Sequence, residues 1–113
     1  MQQNPFSEEL KKWTLVDSVS VTGAGGSSNT KTITLPSSYT QLMLTVGVPN
    51  NVYNSTIYAP NTPGAIASYT GVDGSGNITV SLSAVLGGND LRVSHTYNRY
   101  GSSQTIEAKL YYR

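Results

Sequence analysis

Eight short segments of this chain alternate apolar with polar residues, and this alternation constrains the fold more than any other feature. Residues 78–84, for example, have the sequence Ile-Thr-Val-Ser-Leu-Ser-Ala. Successive side chains of a strand point to opposite faces, so each segment predicts a strand with one apolar face. The eight segments are 13–21, 30–35, 42–48, 52–59, 65–70, 78–84, 91–97 and 105–112.

Turn-forming residues separate these segments, at 23–29, 49–51, 60–64, 73–76 and 87–89. They are rich in Gly, Pro, Asn and Asp, which start and end strands. Sheets with one apolar face must cover that face, so we predict a two-sheet antiparallel β-sandwich of about eight strands. Jelly-roll topology is preferred because eight strands suit it. An immunoglobulin-like sandwich is the alternative, although its Cys-Trp-Cys hallmark is missing.

The length of 113 residues predicts one domain. We expect residues 13–113 to form a single β-sandwich domain and residues 1–12 to form an N-terminal lead-in or short helix. Ser7 can cap a turn from Glu8 to Lys12, and Pro5 suits a first helical turn. Such a turn is too short to be stable alone, so it packs on the domain or continues an upstream stalk.

Composition excludes several classes of protein. The chain has no cysteine, which rules out disulfides and thiolate metal sites. Seven basic and six acidic residues give a net charge of +1, and seven dispersed cations make a poor nucleic-acid surface. No apolar run approaches the roughly 20 residues that a membrane span needs. We therefore expect that the protein neither binds nucleic acid nor inserts into a membrane.

The N-terminus lacks the basic region and apolar stretch of a secretory signal. The uncharged polar composition of the whole chain, with eight tyrosines, nevertheless suits an extracellular β protein. Three explanations remain open: an excised domain, a virion protein released by cell lysis, or a cytosolic protein of unusual composition.

Catalysis is not expected. His95 is the single histidine, and it is in phase with the apolar residues Leu91 and Val93, as a core histidine would be. The alternative role, a general base beside a serine, lacks a Gly-x-Ser-x-Gly elbow. The acids Asp17, Asp73, Asp90 and Glu107 fall on different strands and loops, which disfavours a carboxylate pair.

Metal and cofactor sites are not expected either. Residues 73–77, Asp-Gly-Ser-Gly-Asn, superficially resemble a calcium loop, but a strand segment follows where a further carboxylate is needed. A glycine-rich turn explains them. The glycines of residues 23–26 lead into a strand rather than into a Lys and a helix, so no phosphate cradle is predicted.

Binding surfaces remain. Tyrosine offers a rigid face with a polar tip, and Asn or Arg can hydrogen-bond to sugar hydroxyls or adapt to protein contacts. Two regions concentrate these residues, around 50–54 and 97–101. The predicted ligand-binding residues are Tyr53, Asn54, Asn98, Arg99 and Tyr100.

The last two segments also allow a register prediction. If 91–97 and 105–112 form an antiparallel hairpin, their apolar residues must share a face. If the numbers of paired residues sum to 199, Arg92 lies opposite Glu107 and Asp90 lies opposite Lys109. If they sum to 201, Arg92 lies opposite Lys109, and the two cations repel each other. We therefore predict the 199 register, with Arg99 and Tyr100 at an exposed four-residue tip.

Residues 31–44, Lys-Thr-Ile-Thr-Leu-Pro-Ser-Ser-Tyr-Thr-Gln-Leu-Met-Leu, resemble C-terminal domains of bacteriophage tail-fibre, baseplate and other virion proteins. The opening Trp13-Thr14-Leu15 and the closing residues 110–113 fit the same layout. The resemblance implies a β-sandwich, usually a homotrimer, that presents loops to a host-surface glycan or protein. It carries over no site residue, because the sequence contains no site motif of the family.

From these observations the expected function is a non-enzymatic virion or tail domain that binds a host cell-surface saccharide, located in the virion or outside the cell. Two alternatives stay open. One is a structural virion component, such as a capsid decoration or fibre cap. The other is a carbohydrate-binding module of a secreted bacterial enzyme.

Overall fold

Strands and turns make up the described part of the chain. The computed structural model describes residues 12–23, 26–49, 51–59, 64–72, 74–75, 78–97 and 104–113. Eight strands lie there, and no helix occurs within these ranges. They are β1 (Thr14–Gly23), β2 (Ser27–Thr32), β3 (Leu42–Val48), β4 (Asn51–Tyr58), β5 (Ala65–Val72), β6 (Ile78–Gly87), β7 (Asp90–Tyr97) and β8 (Gln104–Tyr112).

The eight predicted segments all form strands, and only β2 is displaced from its predicted position. It ends at Thr32, whereas the prediction ran to Leu35. The reason is that the backbone N–H of Ile33 donates to the carbonyl of Asn89, in the β6–β7 turn, at 2.6 Å. Ile33 thus leaves the strand ladder while its side chain remains buried. The predicted lead-in or short helix at the N-terminus falls on residues that, apart from Lys12, lie outside the described ranges.

Two four-stranded antiparallel sheets confirm the predicted β-sandwich. Sheet A has the order β1-β8-β3-β4, and sheet B has the order β2-β7-β6-β5. Strands of one sheet lie over strands of the other, with β1 over β2 and β4 over β5 at the two sides. The alternation seen in the sequence arises because each sheet turns one face inward.

The finer topology agrees only in part with a jelly roll. Pairing of β1 with β8 and of β2 with β7 follows that pattern. A jelly roll would also pair its third strand with its sixth, whereas here β3 pairs with β4, and β6 pairs with β5 and β7. The loops 49–50 and 88–89 each have two residues, which keeps the strands they join in one sheet. The immunoglobulin alternative fails because β1 and β2 lie in different sheets.

The predicted β7–β8 hairpin is wrong. β7 lies between β2 and β6 in sheet B, and β8 lies between β1 and β3 in sheet A. Arg92 is therefore opposite Thr30 and Val85 rather than Glu107. Glu107 and Lys109 instead contact each other along β8, at 3.3 Å. Each strand is central in its own sheet, so no free edge was left for the pairing that the charges favoured.

The core lies between the sheets and is almost entirely apolar. Leu44, Val46, Ala84, Leu91, Val93, Ile106, Ala108 and Leu110 have no measurable exposure. A second, smaller cluster lies on the outer face of sheet A, where Trp13, Met43 and Tyr111 pack together. The guanidinium of Arg113 lies 4.4 Å from the centre of the Trp13 ring, a cation–π contact.

Strand directions divide the sandwich into two ends. At one end, which we call the loop end, lie Gly23, Ser27, Val48, Asn51, Val72, Ile78, Tyr97 and Gln104. At the opposite end, the terminal end, the described chain begins and finishes. There the carbonyl of Arg113 accepts hydrogen bonds from the backbone N–H groups of Thr40, at 2.7 Å, and Gln41, at 3.0 Å.

A β-bulge near the loop end depends on a glycine. The register of β3 and β4 shifts between Val46 and Gly47, so that β4 carries one extra residue, Tyr53. A Cβ atom at Gly47 would lie 2.3 Å from the carbonyl oxygen of Asn51 and 2.9 Å from the backbone nitrogen of Tyr53. Since backbone atoms cannot give way cheaply, any side chain there would displace β4.

We expect Gly47→Ala to lower the free energy of unfolding by about 2–3 kcal/mol, because it forces the bulge apart. Gly87→Ala is the matched control, since a Cβ atom there meets no atom within 4 Å, and it should change stability by less than about 0.5 kcal/mol. Urea denaturation followed by circular dichroism measures both. Equal stabilities of the two variants would contradict the steric argument.

Candidate functional site: the β4–β5 side

Four half-buried side chains meet where the edge strands β4 and β5 face each other across the sandwich. Tyr53, Asn54 and Tyr58 come from β4, and Tyr69 comes from β5. They combine aromatic faces with amide and hydroxyl groups, and these are the groups from which ligand binding was predicted. This group of side chains contains two of the five predicted site residues.

Hydrogen bonds from β4 reach the backbone of β5. The amide nitrogen of Asn54 donates to the carbonyl oxygen of Ser68, and the hydroxyl of Tyr58 donates to the carbonyl oxygen of Ile66. The rings of Tyr53 and Tyr69 pack together with their centres 4.6 Å apart and their planes tilted by 31°, a favourable aromatic arrangement. These contacts join sheet A to sheet B along this side.

The bulge determines how β4 presents this group. Asn54 is opposite Val46, whose side chain is in the core, so Asn54 also points between the sheets. Tyr53, the extra residue of the bulge, packs against the core as well. Two consecutive residues can therefore face the same way, which an unbroken strand would not allow. On β5, Tyr69 is in phase with the buried Ala65 and Ala67, and its ring extends toward Gly71.

The other three predicted residues, Asn98, Arg99 and Tyr100, lie outside the described residues. The strands that flank them finish at Tyr97 and begin at Gln104, at the loop end. Residues 98–103 thus connect the two sheets rather than close a hairpin. The argument that placed Arg99 and Tyr100 at a hairpin tip loses its basis, and their role in binding stays a prediction.

Sequence reasoning missed Tyr58 and Tyr69 as members of the group. Both could have been found by phase, since Tyr69 follows Ala65 and Ala67 at intervals of two and Tyr58 follows Asn54 and Thr56 in the same way. Their hydrogen-bond and ring partners lie on the opposite sheet, and no local pattern predicts those.

His95 occupies the apolar position that the sequence predicted for it. It is 1% exposed and lies in sheet B between Ser27 of β2 and Leu82 of β6. Burial lowers the pKa of the His95 imidazole below its ordinary value of 6.5, because the charged form loses hydration. A neutral imidazole packed in the core is consistent with a structural role.

We expect the protein to lose stability as the pH falls below about 6.5. The unfolded chain then binds a proton at His95 before the folded chain does, and this difference favours unfolding, by at most about 1.4 kcal/mol per pH unit. Thermal unfolding between pH 7.5 and 5.5 measures the effect, and His95→Leu should flatten the slope. An unchanged slope in this variant would show that another group is responsible.

Among the described acidic residues, Asp17 and Glu107 form ion pairs, and Asp90 accepts a hydrogen bond from the Thr32 hydroxyl at 3.1 Å. Asp17 accepts a hydrogen bond from the ammonium of Lys31 at 2.7 Å, and this bond holds the pKa of the Asp17 carboxyl below its usual value. In the described part of the chain, no three His, Asp or Glu side chains come close enough to bind a metal ion together. Of residues 73–77, only Gly74 and Ser75 are described, and both are exposed turn residues.

We expect EDTA to leave the melting temperature unchanged, because turn chemistry alone accounts for residues 73–77. Differential scanning fluorimetry with EDTA, and then with excess calcium, measures this. A melting temperature that drops with EDTA and recovers with calcium would show that the segment binds the ion.

Comparison with protein families, with curated proteins and with solved structures finds no match for the chain. In the described ranges there is also no helix of the length and apolarity that a membrane crossing requires. The resemblance to virion domains therefore rests on the short motifs of the sequence.

Proposed function

We propose that this chain is a non-enzymatic bacteriophage virion or tail domain that binds a host cell-surface saccharide at the loop end of its sandwich, as part of a homo-oligomer such as a trimer. The protein would act in the virion, outside the host cell. The sequence motifs of residues 31–44 suggest the family, and the sandwich provides the rigid frame on which such domains display loops.

One observation carries this proposal: β1 begins and β8 ends at the terminal end, whereas four connections between strands lie at the loop end. Anything joined to Trp13 or Arg113 would hold the loop end at the farthest point from the attachment. Tyr53, Asn54 and Tyr69 lie close to this end, and aromatic and amide side chains are the groups that recognise sugar rings and hydroxyls. A domain built this way is suited to present a binding surface at a tip.

A second candidate is a purely structural virion component. It is favoured by the hydrogen bonds of Asn54 and Tyr58, whose donor groups already bind carbonyl oxygens of β5. The ring of Tyr53 likewise packs on Tyr69. In this case Tyr53, Asn54, Tyr58 and Tyr69 would serve to hold the two sheets together, and the donor groups of Asn54 and Tyr58 would bind β5 rather than a saccharide.

A glycan array probed with the intact chain separates the two candidates. If the proposal is right, Arg99→Ala or Tyr53→Phe should weaken binding of the selected saccharide by about tenfold or more, because Arg99 is a ligand contact predicted from the sequence and Tyr53→Phe removes a hydroxyl near the loop end. Arg92→Ala, an exposed arginine on β7, is the matched control and should bind like the unmodified chain.

Circular dichroism must show that the variants keep the fold. An array with no bound glycan, from a chain that is folded, would favour the structural role. Equal loss of binding in the Arg92 control would show that the array reports charge rather than a site.

A further inference from the structure

Charge is distributed very unevenly between the two lateral halves of the sandwich. β3, β4, β5 and β6 contain no charged residue. β1, β2, β7 and β8 contain Asp17, Lys31, Asp90, Arg92, Glu107 and Lys109. Because β3 and β4 are neighbours in sheet A, and β6 and β5 are neighbours in sheet B, one half of the molecule is without charge in both sheets.

Exposed apolar side chains concentrate on the same half. Among the described residues, four large apolar side chains are exposed, and three of them are Val52, Ile57 and Ile66, at 39%, 47% and 53%. Ile57 is on the outer face of sheet A and Ile66 on the outer face of sheet B, so they flank the edge from both faces. We call β4 and β5, with these three residues, the charge-free side.

An edge strand without charge is unusual, because natural proteins protect their strand edges with Lys, other charges or proline. The opposite side of this sandwich has such protection: Lys31 of β2 bonds to Asp17 of β1 across the sheets. The charge-free side has strands of eight residues each, with no charge along either. Along these two strands the bulge of β4 is present, but the charges that keep exposed edges from associating are absent.

We infer that the charge-free side is the surface through which copies of this chain associate with one another. Association of the copies is part of the proposed function, and this inference names the surface that does it. A second copy is the occupant that fits best, since two uncharged apolar sides meet without like-charge repulsion and the two subunits of a two-fold symmetric dimer, rather than of a trimer, contact through the same patch. A strongly charged partner would find no complementary charge there.

The available area is sufficient for a weak but specific contact. A strand of eight residues is about 27 Å long, and the smallest dimension of the molecule is 20 Å. The side therefore offers about 540 Å² per copy and about 1,100 Å² per contact, which reaches the lower limit for specific interfaces. Interface centres are depleted in charged residues and rich in aromatic ones, as this side is.

Sedimentation equilibrium of the intact chain tests the inference, with Ile57→Lys/Ile66→Lys as the disrupting variant. The unmodified chain should have a mass at least twice the 12.0 kDa of one chain, and the variant should associate at least about tenfold more weakly. Leu15→Lys is the matched control: Leu15 is the fourth exposed apolar side chain, at 51%, but it lies on β1 in the charged half. It should associate like the unmodified chain.

Three outcomes overturn the inference. The unmodified chain stays monomeric over a 100-fold range of concentration up to the highest soluble one, the double variant keeps the mass of the unmodified chain, or Leu15→Lys weakens association as much as the double variant does. If the double variant does not fold, Ser55→Lys/Ser68→Lys replaces it, since both serines are exposed on the same side. The glycan array is run on the same variants. Loss of saccharide binding with an unchanged mass would assign the side to the sugar and overturn self-association, while loss of association with binding retained would leave the saccharide proposal standing.

Discussion

Closing the sides of two stacked sheets is the constraint on which the rest of this structure depends. A sandwich leaves four edge strands whose backbone groups are not used by the ladder, and here they are β1 and β4 of sheet A and β2 and β5 of sheet B. On one side the amide of Asn29 donates to the carbonyl of Ser20 at 3.0 Å, beside the Lys31–Asp17 pair. On the other, Asn54 and Tyr58 donate to carbonyls of β5. Side chains thus satisfy backbone acceptors between sheets, where no backbone partner is within reach.

The two sides achieve closure with different chemistry, and this difference gives the molecule its lateral polarity. Exposed ion pairs contribute little to stability. The side formed by β1 and β2 therefore depends more on the positions of its strands than on the charges of Lys31 and Asp17. The charge-free side adds the packing of the Tyr53 and Tyr69 rings to its hydrogen bonds. It depends on Gly47, because the bulge that turns Tyr53 inward needs a residue without a side chain.

Most of the fold could be predicted from the sequence, because one-sided burial imposes a period of two on every strand. The approximate ranges of the strands other than β2, and the burial of His95, follow from that period alone. The pairing of strands does not: the same apolar phase that matched β7 with β8 is satisfied when they face each other from opposite sheets. Opposite charges such as Arg92 and Glu107 suggested a neighbour, but exposed pairs are too weak to determine topology. For the candidate site, Tyr53 and Asn54 were found by residue type, whereas their partners Tyr69 and Ser68 are set by the packing of the two sheets.

The placement of the start of β1 beside the end of β8 has a mechanical consequence. β1 and β8 are antiparallel neighbours, and the described chain enters through one and leaves through the other at the same end. A force that separates these two ends would open the β1–β8 ladder one hydrogen-bonded pair at a time, from Thr14 and Tyr112 inward. A force between the terminal end and the loop end acts along the strands instead, so it does not open the pairs of that ladder one at a time. The sandwich is therefore weaker when Thr14 and Tyr112 are pulled apart than when tension acts between the terminal end and the loop end.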